Sequence, residues 1–368
     1  MNVLCGMTFA FLVHPRADLR QDLARLAKPL GLVPNMVYDR ALRRLPLPPV
    51  RFASVGLHGS EIGRLILVPF GARHLLTDRR AGARKVAQAV DLAAATGADL
   101  VGLGGLTSPV TNGGRQLMRR NDIGVTNGNA FTAATVHRQV RELLAAAPAG
   151  RVAVVGATGS VGSAVTRLLA RDGWGADLLL VARDRSRLDP LTAAVGARSA
   201  TDLAAVRACD VVVLLTSAAD ALIGPEHLGH GAVVLDATQP RNTGPDLLTR
   251  RPDVRVLDGG VVDVPGLRLR GGSIGLAPGQ AFACLAETML LSLAGHRGHF
   301  SLGRPTLDQV DRIVEIAEDL AHLGFRPAAP SSFGRPIAPS AHATPVARVA
   351  PVARVAPVAP SKLAGAAA

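Results

Sequence analysis

The sequence predicts an α/β protein of two domains, with a doubly wound parallel sheet of the Rossmann type in its C-terminal half and an N-terminal α/β substrate domain. Three observations carry this. Short apolar runs alternate with helix-patterned segments from Val152 to Leu235, as in a sheet whose strands are buried on both faces. The first of those runs leads directly into Gly156-Ala157-Thr158-Gly159-Ser160-Val161-Gly162 and an apolar helix, the strand, turn and helix order that a dinucleotide fingerprint requires. Finally, 368 residues with 48% hydrophobic and 19% charged side chains are enough to fill two cores.

The expected organisation is a substrate domain over 1–128, a connecting helix over 129–148, a nucleotide-binding domain over 149–277 and helices packing back across the cleft over 278–326. In chain order, Thr8 to Val13 reads as a strand, Ala17 to Ala27 as an amphipathic helix and 50–70 as β-rich. Residues 80–97 are helical in pattern, Asp99 to Leu103 is a short strand, and Gly104-Gly105 turns into Thr107 and Ser108, a candidate wall of the site. The connecting helix ends at Pro148 and Gly150. Strands follow at Val152–Val155, Asp177–Val181, Val211–Leu215, Val233–Leu235 and Val254–Leu257, with helices starting at Val161 and Arg187 between the first of them. A Gly-rich stretch from Gly271 to Gly279 precedes an apolar helix from about Gln280 to Leu293, and Leu307 to Leu323 forms the last helix. From Pro327 to Ala368 the chain turns to Pro, Ala, Ser and Val with a repeated Pro-Val-Ala-Arg-Val-Ala and no apolar periodicity, so 327–368 is expected to be disordered.

Composition narrows the function classes. A formal charge of +13 invites a nucleic-acid reading, but the only lysines are Lys28, Lys85 and Lys362, and the arginines are scattered among Ala, Gly, Val and Leu. One Trp, one Tyr and nine Phe offer few stacking platforms, which sets nucleic acid aside. Cys5, Cys209 and Cys284 form neither a disulfide framework nor a zinc pattern, so no metal is expected and a reducing cytoplasm is. The apolar start meets His14, Pro15 and Arg16 before any signal-like cleavage site, and no apolar run is long enough to span a bilayer, which leaves peripheral membrane contact open.

Each glycine of the fingerprint has a task. Gly156 permits the tight turn, Gly159 lets the backbone approach a diphosphate, and Gly162 lets helix and strand pack closely, while the amides of Thr158, Ser160 and Val161 open the helix that would hold the phosphates. The second strand of the unit ends in Arg183 instead of the acid that would bind ribose hydroxyls, which favours NADPH; Asp184 beside it argues the other way. Thr216 and Ser217 follow the strand Val211–Leu215 at the sheet's carboxyl edge, a cofactor position or an ordinary turn.

Among the chemical groups, Tyr38 lacks the lysine four residues on that a Tyr-x-x-x-Lys dyad needs, and no HExxH occurs. Ser273 sits in a G-x-S-x-G match that Ala277 and Pro278 follow instead of a helix, a poor nucleophile elbow. Cys284 and Glu287 lie in Gln280-Ala-Phe-Ala-Cys-Leu-Ala-Glu287. A cysteine on an apolar helix is more often core than catalytic, and a helix begun at Pro278 would place Cys284 in its second turn, beyond most of the dipole's reach. Glu287, one turn later, reads either as a proton carrier or as a solvent-facing charge.

From about Lys85 to Pro327 the chain resembles the cyanobacterial-type long-chain acyl-[acyl-carrier-protein] reductases. The blocks that carry the resemblance include Ala83-Arg84-Lys85-Val86, Leu103-Gly104-Gly105-Leu106-Thr107-Ser108, Thr126-Asn127-Gly128-Asn129, Leu257-Asp258-Gly259-Gly260-Val261-Val262, Phe282-Ala283-Cys284-Leu285-Ala286-Glu287 and Phe300-Ser301-Leu302-Gly303-Arg304. The resemblance implies a thioester reductase in which Cys284 accepts an acyl group from acyl carrier protein or acyl-CoA, NADPH delivers hydride, and a fatty aldehyde leaves for an aldehyde-consuming enzyme. It also implies that Lys85 and the Gly104, Gly105, Thr107, Ser108 turn line a pocket. Phe131 and Ala134 depart from the His and Tyr expected there, as does Gly295-His296-Arg297-Gly298-His299, and these positions are expected to shape the substrate pocket. Three alternatives stay open: a non-covalent dehydrogenase of shikimate or amino-acid dehydrogenase architecture, a dinucleotide-binding protein without turnover, and an acyl hydrolase using Ser273.

Overall fold

The computed structural model describes residues 7–15, 28–45, 47–146, 150–218 and 220–337. Cys5, the helix expected over Ala17–Ala27 and the sequence from 338 onward lie outside the described residues. Two sheets of six strands each dominate.

The first contains β1 (Phe9–Val13), β2 (Val50–Leu57), β3 (Ser60–Leu67), β4 (Leu100–Leu103) and β5 (Gly124–Thr126), in the order β2-β3-β1-β4-β5. β1 runs parallel to β3 and β4, and β4 to β5, whereas β2 is a hairpin partner of β3. All four residues of β4 are buried, as expected for a central parallel strand, while β2 alternates half-buried and buried positions because one of its faces is open. The helix Arg79–Ala95 covers one side through Val86, Ala89, Val90 and Ala93, and the Asp78 carboxylate accepts from the Ala81 amide to start it.

The second sheet comprises β6 (Val152–Val155), β7 (Leu178–Val181), β8 (Arg198–Ala200), β9 (Val211–Leu214), β10 (Val233–Asp236) and β11 (Arg255–Asp258), all parallel, ordered β11-β10-β9-β6-β7-β8. Strand order reverses between β6 and β9, so the crevice above their carboxyl ends is the place where such sheets bind ligands. β6, β7, β9 and β10 are buried at every position, which is why they were legible as uninterrupted apolar runs.

Three expectations need correction. The expected 149–277 domain leaves its sheet at Asp258: Leu267–Arg270 crosses to pair antiparallel with β2 and becomes the edge of the first sheet. The apolar helix begins at Ala283, not near Gln280, because Gln280–Phe282 is extended and pairs with Val261–Asp263, and the Ala283 amide is taken by Gly260 O. Residues 327–337 are ordered, not disordered. The Ser331–Ser332 and Arg335–Pro336 hairpin grips buried Asp258, whose carboxylate accepts from Ser331 Oγ at 2.7 Å and from the amides of Phe333 and Gly334 at 2.9 and 2.8 Å. Arg241 completes that cluster, 2.6 Å from Asp258 and 5.1 Å from the Phe333 ring centroid.

Candidate active site

The carboxyl ends of β1 and β4 in the first sheet, and of β6 and β9 in the second, open onto one cleft of about 1750 Å³. That is roomier than the several hundred to one thousand Å³ usual for one small ligand, and it can take a dinucleotide beside a second substrate.

On the nucleotide side, the turn after β6 is locked to the sheet by Gly156 N–H donating to Val181 O at 2.8 Å, with Gly156 at φ +88°. A Cβ on Gly162 would lie 2.2 Å from Gly156 O, so the helix Ser160–Arg171 can approach the turn this closely only with glycine there. No side chain caps that helix, which leaves its first amides aimed at an anion. Gly156, Thr158, Gly159, Ser160, Val161, Arg183, Thr216 and Ser217 all line the cleft, and Gly162 lies beneath the turn. The Thr216 hydroxyl donates to the Asn242 carboxamide oxygen.

Two further arginines converge on the turn: Arg187 and Arg304 each donate to Thr158 O, at 2.8 and 3.0 Å. Burial first, and then the charges of Arg187, Arg167 and Arg115, hold Arg304 below the usual arginine pKa, a crowding of cations that a phosphate would relieve. The sequence singles out neither: Arg187 stands in the first turn of the helix Arg185–Val195, four residues beyond Arg183, while Arg304 is distant in sequence and no local pattern points to it. The uncapped helix and the arginines fit the phosphates of a nicotinamide dinucleotide, and the glycines leave room for their approach.

On the opposite wall, Cys284 is half-buried and lines the cleft, in the first turn of the helix Ala283–Leu293 instead of the second. A Cβ on Gly128, itself at φ +73°, would fall 2.2 Å from the Cys284 Cβ, so this glycine admits the cysteine. Burial, and next the Glu287 charge, push the Cys284 thiol up to about 12, while the amides of Leu285, Cys284 and Gly105 act in the opposite direction. The resting group is therefore a neutral thiol with three amide donors ready for a negative sulfur.

Glu287 is neither solvent-facing nor on the cleft wall. It is fully buried behind Cys284, accepting from the Thr126 hydroxyl and, at 2.7 Å, from the Phe131 amide at the start of the connecting helix Asn129–Ala146. Burial pushes its pKa up to about 7, against the donors Thr126, Phe131, Ala130 and Gly128.

Gly104, Gly105 and Ser108 line the cleft, whereas Thr107 is buried beneath them, bonding Gly104 O at 2.8 Å. Lys85 is away from it, its Nζ donating to Leu47 O at 2.6 Å. Phe131, Ala134, His296 and His299 do not line the cleft either; His299 Nδ1 accepts from the Val125 amide. Ser273 lies on the cleft wall, but its Oγ is engaged by the Gly275 amide and no base is bonded to it. His14, which the sequence offered only as the end of an apolar run, lines the cleft beside Gly105.

The two walls are joined directly. Asn129 Nδ2 donates to Ser160 Oγ at 2.8 Å, Ser160 Oγ donates to Gly303 O at 2.5 Å, and Asn127 Nδ2 bonds both Gly303 O and Gly113 O at 3.0 Å. Among the described residues no group of His, Cys, Asp and Glu is placed to hold a metal, and no helix is long and apolar enough to cross a membrane.

Comparison with known proteins agrees with this geometry. Residues 151–248 match the family model for the semialdehyde dehydrogenase NAD-binding domain. The chain is 31% identical over 353 residues to the aminotransferase PigE of a Serratia species, covering 90% of this chain but spanning only 41% of that protein's length. It is 34% identical over 265 residues to the long-chain acyl-[acyl-carrier-protein] reductase of Synechococcus elongatus, covering 67% of this chain and 76% of that one. Among solved structures, shikimate 5-dehydrogenase of Thermus thermophilus matches over 84% of this chain and 98% of its own at 15% identity, with a TM-score of 0.38, too distant to bear on function. A nicotinamide-nucleotide domain of the oxidoreductase type, joined to this level of identity across three quarters of the cyanobacterial enzyme, means that the chain belongs to the long-chain acyl-[acyl-carrier-protein] reductase family.

Proposed function

We propose that the protein reduces a long-chain acyl thioester, presented on acyl carrier protein or coenzyme A, to a fatty aldehyde with NADPH, by way of an acyl group held on Cys284. The observation that carries this reading is the placement of Cys284, in a first helical turn and facing the Gly105 amide, on the wall of the cleft that the Gly156–Gly162 turn also lines.

The chemistry follows from the resting state of the thiol. As Cys284 Sγ attacks the acyl carbon, the bond to the carrier sulfur breaks; the carrier sulfur, with the lower pKa, is the better leaving group of the two, and it takes up a proton in place of the one Cys284 gives up. The exchange is near thermoneutral because one thioester replaces another. Gly156, Thr158, Gly159, Ser160, Val161, Arg183 and Arg187 would hold NADPH, whose nicotinamide would supply the hydride that the acyl carbon on Cys284 receives. The resulting thiohemiacetal on Cys284 then collapses, the carbon–sulfur bond breaks, and aldehyde leaves as the sulfur regains a proton. The sulfur is negative when the thiol gives up its proton for attack and again when the carbon–sulfur bond breaks at collapse, and the amides of Gly105, Cys284 and Leu285 favour that charged sulfur. Preference for NADPH over NADH rests on Arg183 and Arg187 beyond β7, where an acid would favour the unphosphorylated ribose. A reactive aldehyde product calls for an enzyme that consumes it.

The test is to incubate the purified protein with long-chain acyl-carrier and acyl-CoA thioesters and NADPH, following absorbance loss and aldehyde by mass spectrometry beside Cys284→Ala. Aldehyde from the unaltered protein alone supports the reading. Equal aldehyde from Cys284→Ala would move the assignment to a non-covalent dehydrogenase, and NADPH binding without product across all thioesters would reject it.

A further inference from the structure

Among the described residues His14 is the one imidazole on the cleft wall, and no step above uses it. Its two nitrogens are both committed. Nδ1 lies 2.9 Å from Pro15 O, which can only accept, and Nε2 lies 3.1 Å from the Leu106 amide, which can only donate. The ring is therefore neutral with its proton on Nδ1. The turn it holds is the one that reaches Cys284: a Cβ on Gly105 would stand 2.7 Å from His14 Nε2, and the Gly105 amide is among the donors that favour the Cys284 thiolate. The turn has little other freedom, since Gly104 N–H is bonded to Leu12 O at 3.0 Å and Thr107 N–H to Gly104 O at 3.1 Å.

We propose that His14 is a positioning residue for the thioester chemistry: its neutral ring, accepting from Leu106 N–H, holds the Gly104–Leu106 turn so that the Gly105 amide stays aimed at the Cys284 sulfur. The proposal rests on Cys284 as the nucleophile. Protonating Nε2 would set one N–H against another and release the turn, so the arrangement works only with the ring uncharged. Burial, opposed in part by the Pro15 carbonyl, holds His14 below the usual histidine pKa and keeps the neutral form through the physiological range. The elements around this end of β1 carry Cys284 and Glu287 on the cysteine helix, Arg73 and His74 on the short helix Ala72–Thr77, and Arg79, Arg80, Arg84, Lys85 and Asp91 on the helix Arg79–Ala95; of these only Cys284 and Arg79, which donates to Pro109 O, share the cleft with His14. Of these Glu287 also titrates near neutrality, so a variant that removes only the His14 contribution is needed.

Two variants separate the roles, read against the unaltered protein and Cys284→Ala in the thioester assay. His14→Leu removes the acceptor, and kcat is expected to fall at least about tenfold while KM for NADPH is unchanged, as for a misplaced donor to a developing charge. His14→Gln keeps an acceptor oxygen for Leu106 N–H and cannot gain a proton. It is expected to recover kcat to within a few-fold at pH 8 and to lose the part of the acid-side decline that His14 contributes. In the unaltered protein, long-range 1H–15N spectra should show the Nδ1–H tautomer of His14 gaining its second proton along with that decline, a measurement that stands even if a variant fails to fold. Full kcat in His14→Leu, an unchanged acid limb in His14→Gln, or an Nε2–H tautomer would overturn the proposal. If instead the unaltered protein makes no aldehyde, or Cys284→Ala makes as much, it is the reading of Cys284 that fails.

Discussion

Replacing Glu287 by Gln tests what it means to bury a carboxyl between the cysteine helix and the start of the connecting helix. In the folded protein its pKa is pushed up from 4.5 to about 7, chiefly by burial. A carboxyl raised in this direction is protonated in the native state while the unfolded chain has already lost its proton. Its contribution to stability is therefore fully present below pH 4.5 and is lost as pH rises to about 7, a change on the order of 3 kcal/mol for a gap of this size. Gln cannot titrate. Its oxygen can accept from the Phe131 amide while its nitrogen donates to the Thr126 hydroxyl, which accepts as well as donates, so any cost of rearranging these bonds does not vary with pH. Urea unfolding of both proteins at intervals from pH 4 to pH 8 gives the difference in stability at each point. That difference is expected to shift towards Glu287→Gln by about 3 kcal/mol between pH 4.5 and 7 and to stay level beyond. A difference that is flat throughout would show that the donors at the helix start offset burial completely, and the account of Glu287 would fail.

Gly128→Ala sets a methyl 2.2 Å from the Cys284 Cβ on a residue at φ +73°, so a loss of about 3 kcal/mol or more in thermal or urea unfolding is expected, with turnover abolished as Cys284 shifts. Iodoacetamide should label Cys284 in the resting protein at pH 8 about a thousandfold more slowly than an ordinary thiol, because its pKa lies near 12; peptide mapping by mass spectrometry reads the rate, and rapid labelling would contradict the neutral resting thiol. Arg187→Gln is expected to weaken NADPH about tenfold and NADH much less in a fluorescence titration, and an equal loss for both would remove Arg187 from the 2′-phosphate. Asp258→Asn leaves Arg241 without its partner and weakens the grip on Ser331, Phe333 and Gly334. Unfolding should be easier by about 3 kcal/mol and limited proteolysis should begin near residue 330, whereas unchanged proteolysis would mean that the hairpin holds without Asp258.

The parts legible in the sequence are those whose physics is local. β6, β7, β9 and β10 are buried on both faces and announce themselves as apolar runs, and the Gly156–Gly162 spacing is forced by the approach of one helix to one turn. Cys284 stood out because several blocks in order matched one family, while its neighbourhood did not. Lys85, Phe131 and Ala134 were expected at the pocket and lie elsewhere, since a helical or strand pattern says which face is apolar and not what the polar face meets.

By itself, then, the sequence determined the α/β class, the nucleotide turn and the identity of the candidate nucleophile. Tertiary structure alone decided that Leu267–Arg270 completes the first sheet, that residues 331–336 close over Asp258, and that Glu287 serves the start of a helix more than a hundred and fifty residues earlier in the chain. It also decided that His14, Gly105 and Cys284, from three distant segments, share one wall. Periodicity and turn chemistry act over a few residues. A pKa, a close approach or an aimed amide depends on which segments are brought together, and that is set by the packing of the whole core.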